Sequence, residues 1–345
     1  MGKVLVTGGS GFVATHVVHK LLRNGHHVTA TVRSSKKGDQ MIALVPENLR
    51  ANFVYVIVED VGLPGAFDKV IQENDFDGVI HTATPFDPKI QDPQATLKPA
   101  IEGTTNILEA AHKYGPNIRK MVITSSCASV ISEEKGDWPG HVYTEADWNP
   151  ITWEAANDGS WAHAYYGAKT YAEKSAWKFL VEQKPNFEVV TICPPYIFGP
   201  ALQHLDSLDA INTSNAVLYS YINGSLKGKE IQKNGVHLWV DVRDCADAHV
   251  VAYEKQGLGS HRFVIAAGTF TNKEVADIFR EKYPDRASNV PTKLAEGLTP
   301  EGEPVGGKYS VDNSKSRKLL GLEYLPIEQS IVDLMTSLKP LESKA

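Results

Sequence analysis

Three cysteines in 345 residues, Cys127, Cys193 and Cys245, are odd in number, widely separated and without CxxC spacing. No disulfide framework can be built from them, and a reduced, cytoplasmic setting is expected. A basic excess is also missing: 35 Lys and Arg stand against 41 Asp and Glu, a net charge of −6, and the densest basic runs are pairs such as Lys36-Lys37. Nucleic acid is therefore not an expected partner. The longest apolar stretches, Phe53 to Val58 and Val189 to Cys193, fall far short of the roughly 18 residues of a membrane helix, so no membrane partner is expected either. Residues 3–7 read as a strand feeding a glycine loop, leaving no room for a cleavable apolar core, and Val6 stands where a myristoylation signal wants Ser or Thr. The terminal Ser343-Lys344-Ala345 is a poor match to a peroxisomal tail. No internal repeat or low-complexity tract is present.

What is there is an ordinary globular composition, 42% hydrophobic and 22% charged. Short apolar runs alternate with longer amphipathic stretches through the first two-thirds, the pattern of βαβ units building a parallel sheet. Strands are predicted at residues 3–7, 27–32, 53–58, 78–81, 120–125 and 187–193, apolar throughout, as for strands covered on both faces. Helices are predicted at residues 12–24, 66–74, 93–114 and 162–183, stopped at Gly25, Gly115 and before Pro185. After Gly199-Pro200 the alternation breaks down. Short elements are predicted at residues 237–240, 245–255, 262–266, 272–283 and 327–338, with 291–307 as loop. The expected fold class is thus α/β: a Rossmann-type, doubly wound parallel sheet over residues 1–200, and a smaller α+β lobe over residues 201–345. Some segments of that lobe are expected to return to the sheet.

Thr7-Gly8-Gly9-Ser10-Gly11-Phe12-Val13-Ala14 follows a strand and opens a helix, and Gly9 to Ala14 fits G-x-G-x-x-A. Glycine lets the backbone turn sharply and approach a pyrophosphate, and the helix N-terminus offers free N–H donors with partial positive charge. The following strand decides between dinucleotides. An acidic residue at its end would bind the adenosine ribose, but Arg33 stands there, followed by Ser34, Ser35, Lys36 and Lys37. The natural partner is the 2′-phosphate of NADP(H).

Tyr165 and Lys169 form the chain's one Y-x-x-x-K spacing, which on a helix sets both side chains on one face. With 13 Tyr and 26 Lys about one such match arises by chance, so its company matters. Thr124-Ser125-Ser126 ends a candidate central strand, where parallel sheets place ligands. Ser125 competes with Ser126 for the polar role, and Tyr166 with Tyr165.

The combination resembles the extended short-chain dehydrogenase/reductase family, in particular its dihydroflavonol reductase-like branch and the fungal NADPH-dependent aldehyde, ketone and methylglyoxal reductases. The likeness covers nearly the whole chain, through Arg33, Asp60-Val61, His81-Thr82-Ala83, the run from Glu173 to Trp177, that from Cys193 to Pro200, Asn212-Thr213-Ser214 and Val240 to Asp244. It implies reduction of aldehydes or ketones to alcohols by hydride transfer from NADPH. Tyr165 would donate the proton, Ser126 would polarise the carbonyl, and Lys169 would lower the Tyr165 pKa and hold the nicotinamide ribose. Further implied cofactor contacts are Asp60 and Val61 at the adenine edge, Lys37 at the 2′-phosphate, Ala83 at the middle, and Pro194, Ile197 and Ser214 towards the nicotinamide. Phe86, Ile131, Tyr196 and Phe198 would wall the pocket for a small-molecule carbonyl substrate or, read equally well, belong to the core, in a monomer or homodimer. Ala14 replaces a frequent glycine, and Cys193 a frequent Asn, which would alter how the carboxamide is held.

Other readings are weaker. His16-x-x-His19 lacks a third ligand, so no metal is expected. Residue 12 is Phe12, so Gly-Ser-Gly is no nucleophile elbow. The tryptophans at 138, 148, 153 and 161 could form a lid or pack at the sheet edge. The rival functions are a nucleotide-sugar epimerase or dehydratase with the same triad, and a non-catalytic NADP(H)-sensing regulator. The former needs a basic clamp, for which Arg243 and Arg262 are the candidates.

Overall fold

A computed structural model describes residues 1–84 and 92–343. Its centre is a seven-stranded sheet formed by β1 (Lys3–Thr7), β2 (His27–Val32), β3 (Phe53–Ile57), β4 (Gly78–His81), β5 (Lys120–Thr124), β7 (Glu188–Cys193) and β10 (His261–Val264). The order is β10-β7-β5-β4-β1-β2-β3 and every pairing is parallel. Helices α1 (Phe12–Arg23), α2 (Ser35–Leu44), α3 (Asp68–Gln72), α4 (Gln94–Tyr114), α5 (Trp153–Ala156) and α6 (Trp161–Gln183) lie between these strands in the chain. This is the doubly wound Rossmann-type arrangement that alternating apolar runs anticipate.

Pleating divides the sheet's side chains between two cores. Val4, Val6, Ile80, Val122 and Val190 face α1 and α8 (Val242–Glu254), whereas Leu5, Val79, Met121, Ile123 and Val189 face α3, α4 and α6. Burial on both faces explains why these runs carry no polar alternation. β3 is the exception: it closes the sheet's edge and leaves Val54 55% and Ile57 50% exposed, so it is not covered on both faces as expected.

Beyond β8 (Tyr196–Phe198) the chain runs through α7 (Thr213–Ser220), β9 (Leu238–Asp241) and α8 before β10 joins the large sheet beside β7. β11 (Gly268–Thr269), β9 and β8 make a second, three-stranded sheet, covered by α7, α9 (Asn272–Lys282) and α11 (Ile327–Glu342) around Phe198, Trp239, Phe279 and Leu334. The short strands β6 (Val142–Tyr143) and β12 (Ser310–Val311) pair in parallel, and α10 (Ser314–Leu320) packs on α8.

Four helices, α2, α5, α7 and α10, escaped the periodicity reading. In α2 the break is Gly38, which the pattern takes for a turn; it sits flat under the Tyr55 ring, where an added Cβ would come within 2.4 Å. The segments of α5, α7 and α10 are too short for a pattern to emerge. α8 starts three residues before the predicted 245, because the Asp241 side chain accepts from the Arg243 N–H and caps it. Among the described residues no helix is long and apolar enough to cross a membrane.

Candidate active site

The carboxyl ends of β1, β4 and β5 open on a cavity of about 670 Å³, where the strand order switches direction beside β1. Its floor is the glycine loop. Gly8 has φ +68, and an added Cβ would come within 3.0 Å of the Ala83 Cα, so both the backbone conformation and the close approach disfavour a side chain there. Gly8, Gly11, Phe12, Val13 and Ala14 line the cavity. α1 begins at Phe12 after the exposed Gly11, and no described side chain caps it, which leaves its first N–H groups facing the cavity as an anion cradle. Thr7 and Gly9 fix the shape of the loop. The Thr7 hydroxyl accepts from the Ala83 N–H at 3.1 Å and pairs with His81 Nδ1 at 2.8 Å; Gly9 packs on Ala30 and Met41 and donates its N–H to the Thr31 carbonyl at 2.9 Å. Ser10 is half-buried within the turn.

The opposite wall is α6, N-capped by Ser160, whose hydroxyl accepts from the His163 N–H. It carries Trp161, Tyr165, Tyr166 and Lys169 into the cavity, with the Trp161 and Tyr165 rings stacked at 5.6 Å. The Ser126 hydroxyl lies 3.4 Å from the Tyr165 phenol. That contact separates the competing residues: Ser125 points away from the cavity and donates to Glu173 Oε2 at 2.7 Å, and Tyr166 makes no such pairing with Ser126.

Burial pushes the Tyr165 phenol above its ordinary value, with the Ser126 hydrogen bond acting the other way, and draws Lys169 down to about 8 against the opposing influence of Cys193 and Glu173. Burial governs both groups. Burial, then Glu133, pushes Tyr166 further up still.

Ile131, Tyr196, Ile197 and Ser214 line the cavity as anticipated, and the Ser214 hydroxyl donates to the Ile197 carbonyl at 2.5 Å. Phe198, expected as a wall, is fully buried in the second core, stacked with Tyr196 and Trp239. Side chains alternate along β8, so Phe198 shares Tyr196's strand face rather than Ile197's, but it lies deeper. Pro194 is likewise buried; its carbonyl accepts from the Cys127 N–H, and Pro195 takes the place at the cavity. Cys193 faces Glu173, not the cavity, and burial pushes its thiol up to about 12. Phe86 lies outside the described residues.

Arg33 and Lys37 sit beyond the cavity lining, where β2 ends and α2 begins. Arg33 is exposed and Ser34 caps α2 by accepting from the Lys37 N–H. Asp60 and Val61 follow the adjacent β3: Asp60 is exposed and accepts from the Gly62 N–H, and the Val61 carbonyl accepts from Asn106. Of the four clustered tryptophans only Trp161 reaches the cavity; Trp148 stacks on the Arg262 guanidinium at 3.7 Å, Trp138 on His141, and Trp153 meets Tyr171. The sequence reading missed Thr82, Thr84, Ile211 and Val236, which also line the cavity. Only the threonines carried a signal, as neighbours of Ala83 after a strand. His16 is buried and bonds the Pro200 carbonyl, and among the described residues no group of His, Cys, Asp or Glu could hold a metal ion.

The chain is 38% identical over 340 residues to the ketoreductase azaE of Aspergillus niger, covering 97% of both, and 33% identical to the NADPH-dependent methylglyoxal reductase GRE2 of Saccharomyces cerevisiae, covering 99% of both. The structure of yeast methylglyoxal/isovaleraldehyde reductase Gre2 complexed with NADPH superposes with a TM-score of 0.86 at 31% identity, over 99% of this chain and 100% of that one. Residues 4–266 match the model of the NAD dependent epimerase/dehydratase family, and with a Rossmann-type sheet, a glycine cradle and full-length relatives of this kind, the chain belongs to that family.

Proposed function

We propose that this protein reduces aldehydes or ketones to alcohols with NADPH, Tyr165 giving the proton and Ser126 polarising the carbonyl. The observation that carries the reading is the Ser126–Tyr165 pair at 3.4 Å, facing a cavity whose floor is a glycine cradle. The cradle fits a dinucleotide: Gly8 and Gly11 remove side chains where a pyrophosphate must approach, and the free N–H groups of α1 favour its charge. Arg33 and Lys37, at the α2 N-terminus, would hold the 2′-phosphate, and Lys169 the nicotinamide ribose. When bound, NADPH supplies the hydride.

The residues of the chain supply the rest. A phenol held above its ordinary pKa keeps its proton through neutral pH, the state a proton donor needs in reduction. As hydride arrives, the carbonyl oxygen gains charge, and hydroxyl donors from Tyr165 and Ser126 then bind the transition state more tightly than the substrate. Lys169 is the one charged residue among the described residues lining the cavity, where Ile131, Trp161, Tyr166, Tyr196, Ile211 and Val236 give apolar and aromatic wall beside the neutral polar groups of Thr82, Thr84, Asn212 and Ser214. Uncharged, apolar carbonyl compounds suit such walls. A nucleotide-sugar substrate is disfavoured, because both arginines that could clamp its diphosphate are internally committed, Arg243 to Asp241 and Asp333, Arg262 to Glu173. The test is NADPH oxidation followed by absorbance with branched and aromatic aldehydes and ketones, beside a nucleotide sugar whose conversion is followed by chromatography, because an epimerase or dehydratase regenerates its cofactor. Turnover with the carbonyl compounds alone is expected; turnover with the sugar alone, or with nothing, would refute the reading.

A further inference from the structure

One carboxylate outside the cavity ties together the two elements that carry Ser126 and Tyr165. Glu173 follows Tyr165 and Lys169 at successive four-residue steps on α6, so it shares their side of the helix but lies about two turns deeper. It is 2% exposed. Its Oε2 accepts from the Ser125 hydroxyl at 2.7 Å and from the Ser129 hydroxyl at 2.6 Å; its Oε1 accepts from Thr191 at 2.7 Å and from Arg262 Nε at 2.8 Å. Burial alone would raise its pKa, but the Arg262 charge and these donors outweigh that and hold it ionised.

The two serines flank the turn that bears Ser126. Ser129 has one hydroxyl proton and two acceptors in reach, the carboxylate and the Ser126 carbonyl at 2.7 Å. The charged acceptor takes it, and the Ser126 carbonyl is satisfied by the Ser129 N–H at 3.0 Å. Both ends of a five-residue turn are therefore fastened to a single charged group on the helix of Tyr165. Arg262 completes the arrangement by donating to the Ser129 carbonyl at 3.0 Å and to the Glu145 carbonyl at 3.0 Å, with its guanidinium under Trp148.

We infer that Glu173, charge-balanced by Arg262, is a positioning residue that sets the spacing between Ser126 and Tyr165 through the Ser125 and Ser129 hydroxyls. Many buried ion pairs merely contribute to folding, but this one spends two of its hydrogen bonds on the turn holding a group at the cavity. Positioning within a fraction of an ångström is worth large factors in rate, because proton transfer and oxyanion stabilisation both depend steeply on donor placement.

The test leaves the ion pair intact, since removing Glu173 would strand the buried Arg262 charge and risk unfolding. Ser129→Ala and the double variant Ser125→Ala/Ser129→Ala cut the tethers only. The inference rests on the reductase reading, so Ser126→Ala serves as the control for it. In the otherwise unchanged protein the tether variants should lower kcat about tenfold or more, at nearly constant carbonyl KM and NADPH Kd, as lost geometry acting only on the transition state requires. In the Ser126→Ala background the same substitutions should change kcat less than about twofold, because the group they position is gone. Equal losses in both backgrounds, or near-normal kcat in the tether variants while Ser126→Ala is impaired, would overturn the positioning role and leave the reductase reading standing. Absence of carbonyl reduction in the unmodified protein would overturn both.

Discussion

The Ser126 and Tyr165 hydroxyl oxygens stand 3.4 Å apart although 39 positions separate them in the chain, one opening the turn after β5 and the other in the first turns of α6. Neither residue alone marks a site. Their meeting at the carboxyl edge of the sheet converts a chance-level spacing and a serine pair into two donors aimed at one cavity.

Tyr165→Phe should remove most turnover, at least about 10² in kcat, the lower range of what general acid catalysis contributes. NADPH should still bind, read as quenching of protein fluorescence. Tyr166→Phe should keep most of kcat, since its ring lines the wall without pairing with Ser126. A dead Tyr166→Phe enzyme beside an active Tyr165→Phe enzyme would reverse the assignment.

Arg33→Ala tests the cofactor preference. A charge-assisted hydrogen bond contributes about 1.5–3 kcal/mol, so kcat/KM for NADPH should fall roughly tenfold to a hundredfold. NADH, without a 2′-phosphate, should be used almost as before. Equal losses for both would remove Arg33 from the 2′-phosphate site.

The sheet and the glycine loop were legible because parallel strands and strand-to-helix turns write themselves locally. Each central strand is a run of buried residues, and residues 8–14 combine a turn with a helix start, so β1, α1, β2 and β4 could be bounded within a residue. The cavity's far wall was not legible: Ile211 and Val236 come from segments with no periodicity and reach the site only through the packing of the second sheet. Phe198 shows the converse failure. An aromatic beside Ile197 reads equally as wall or core, and only the stacking with Trp239 decides for core. Ser125 could be told from Ser126 only once Glu173, 48 positions away, was seen to hold it.

Asp244 carries a prediction about stability. It lies in the first turn of α8, accepts from the Leu325 N–H at 2.9 Å, and burial, with Asp241 and Asp247 nearby, pushes its carboxyl up to about 7. Its unfolded value is about 3.9, so the folded state prefers the protonated form. The stabilisation this gives is complete below pH about 4 and is lost as pH rises towards 7. Asp244→Asn keeps an acceptor for Leu325 without the charge. Its melting temperature should exceed that of the unmodified protein by a few degrees at pH 8, and the gap should narrow at pH 5. At about 1.4 kcal/mol per pKa unit the gain is at most about 4 kcal/mol. A lower melting temperature at pH 8 would show that the carboxylate is needed.

Lys169 links cofactor affinity to pH. Burial draws its ammonium down to about 8, so in the free protein much of it loses its proton between pH 7 and 9. Only the charged form is a full cationic donor, and an anionic dinucleotide carrying ribose hydroxyls favours it; binding should therefore take up a proton as pH passes 8. Above that value the NADPH Kd should weaken, approaching tenfold per pH unit, whereas between pH 7 and 7.5 it should be nearly flat because the 2′-phosphate is by then largely ionised. Lys169→Met should bind NADPH more weakly at pH 7 and show no such slope. The readout is fluorescence titration from pH 7 to 9.5, with proton uptake checked by calorimetry in buffers of different ionisation enthalpy. Arg33→Ala, which leaves Lys169 in place, should weaken binding while keeping the slope of the unmodified protein. A slope that survives in Lys169→Met would assign the titration to another group and detach Lys169 from the ribose.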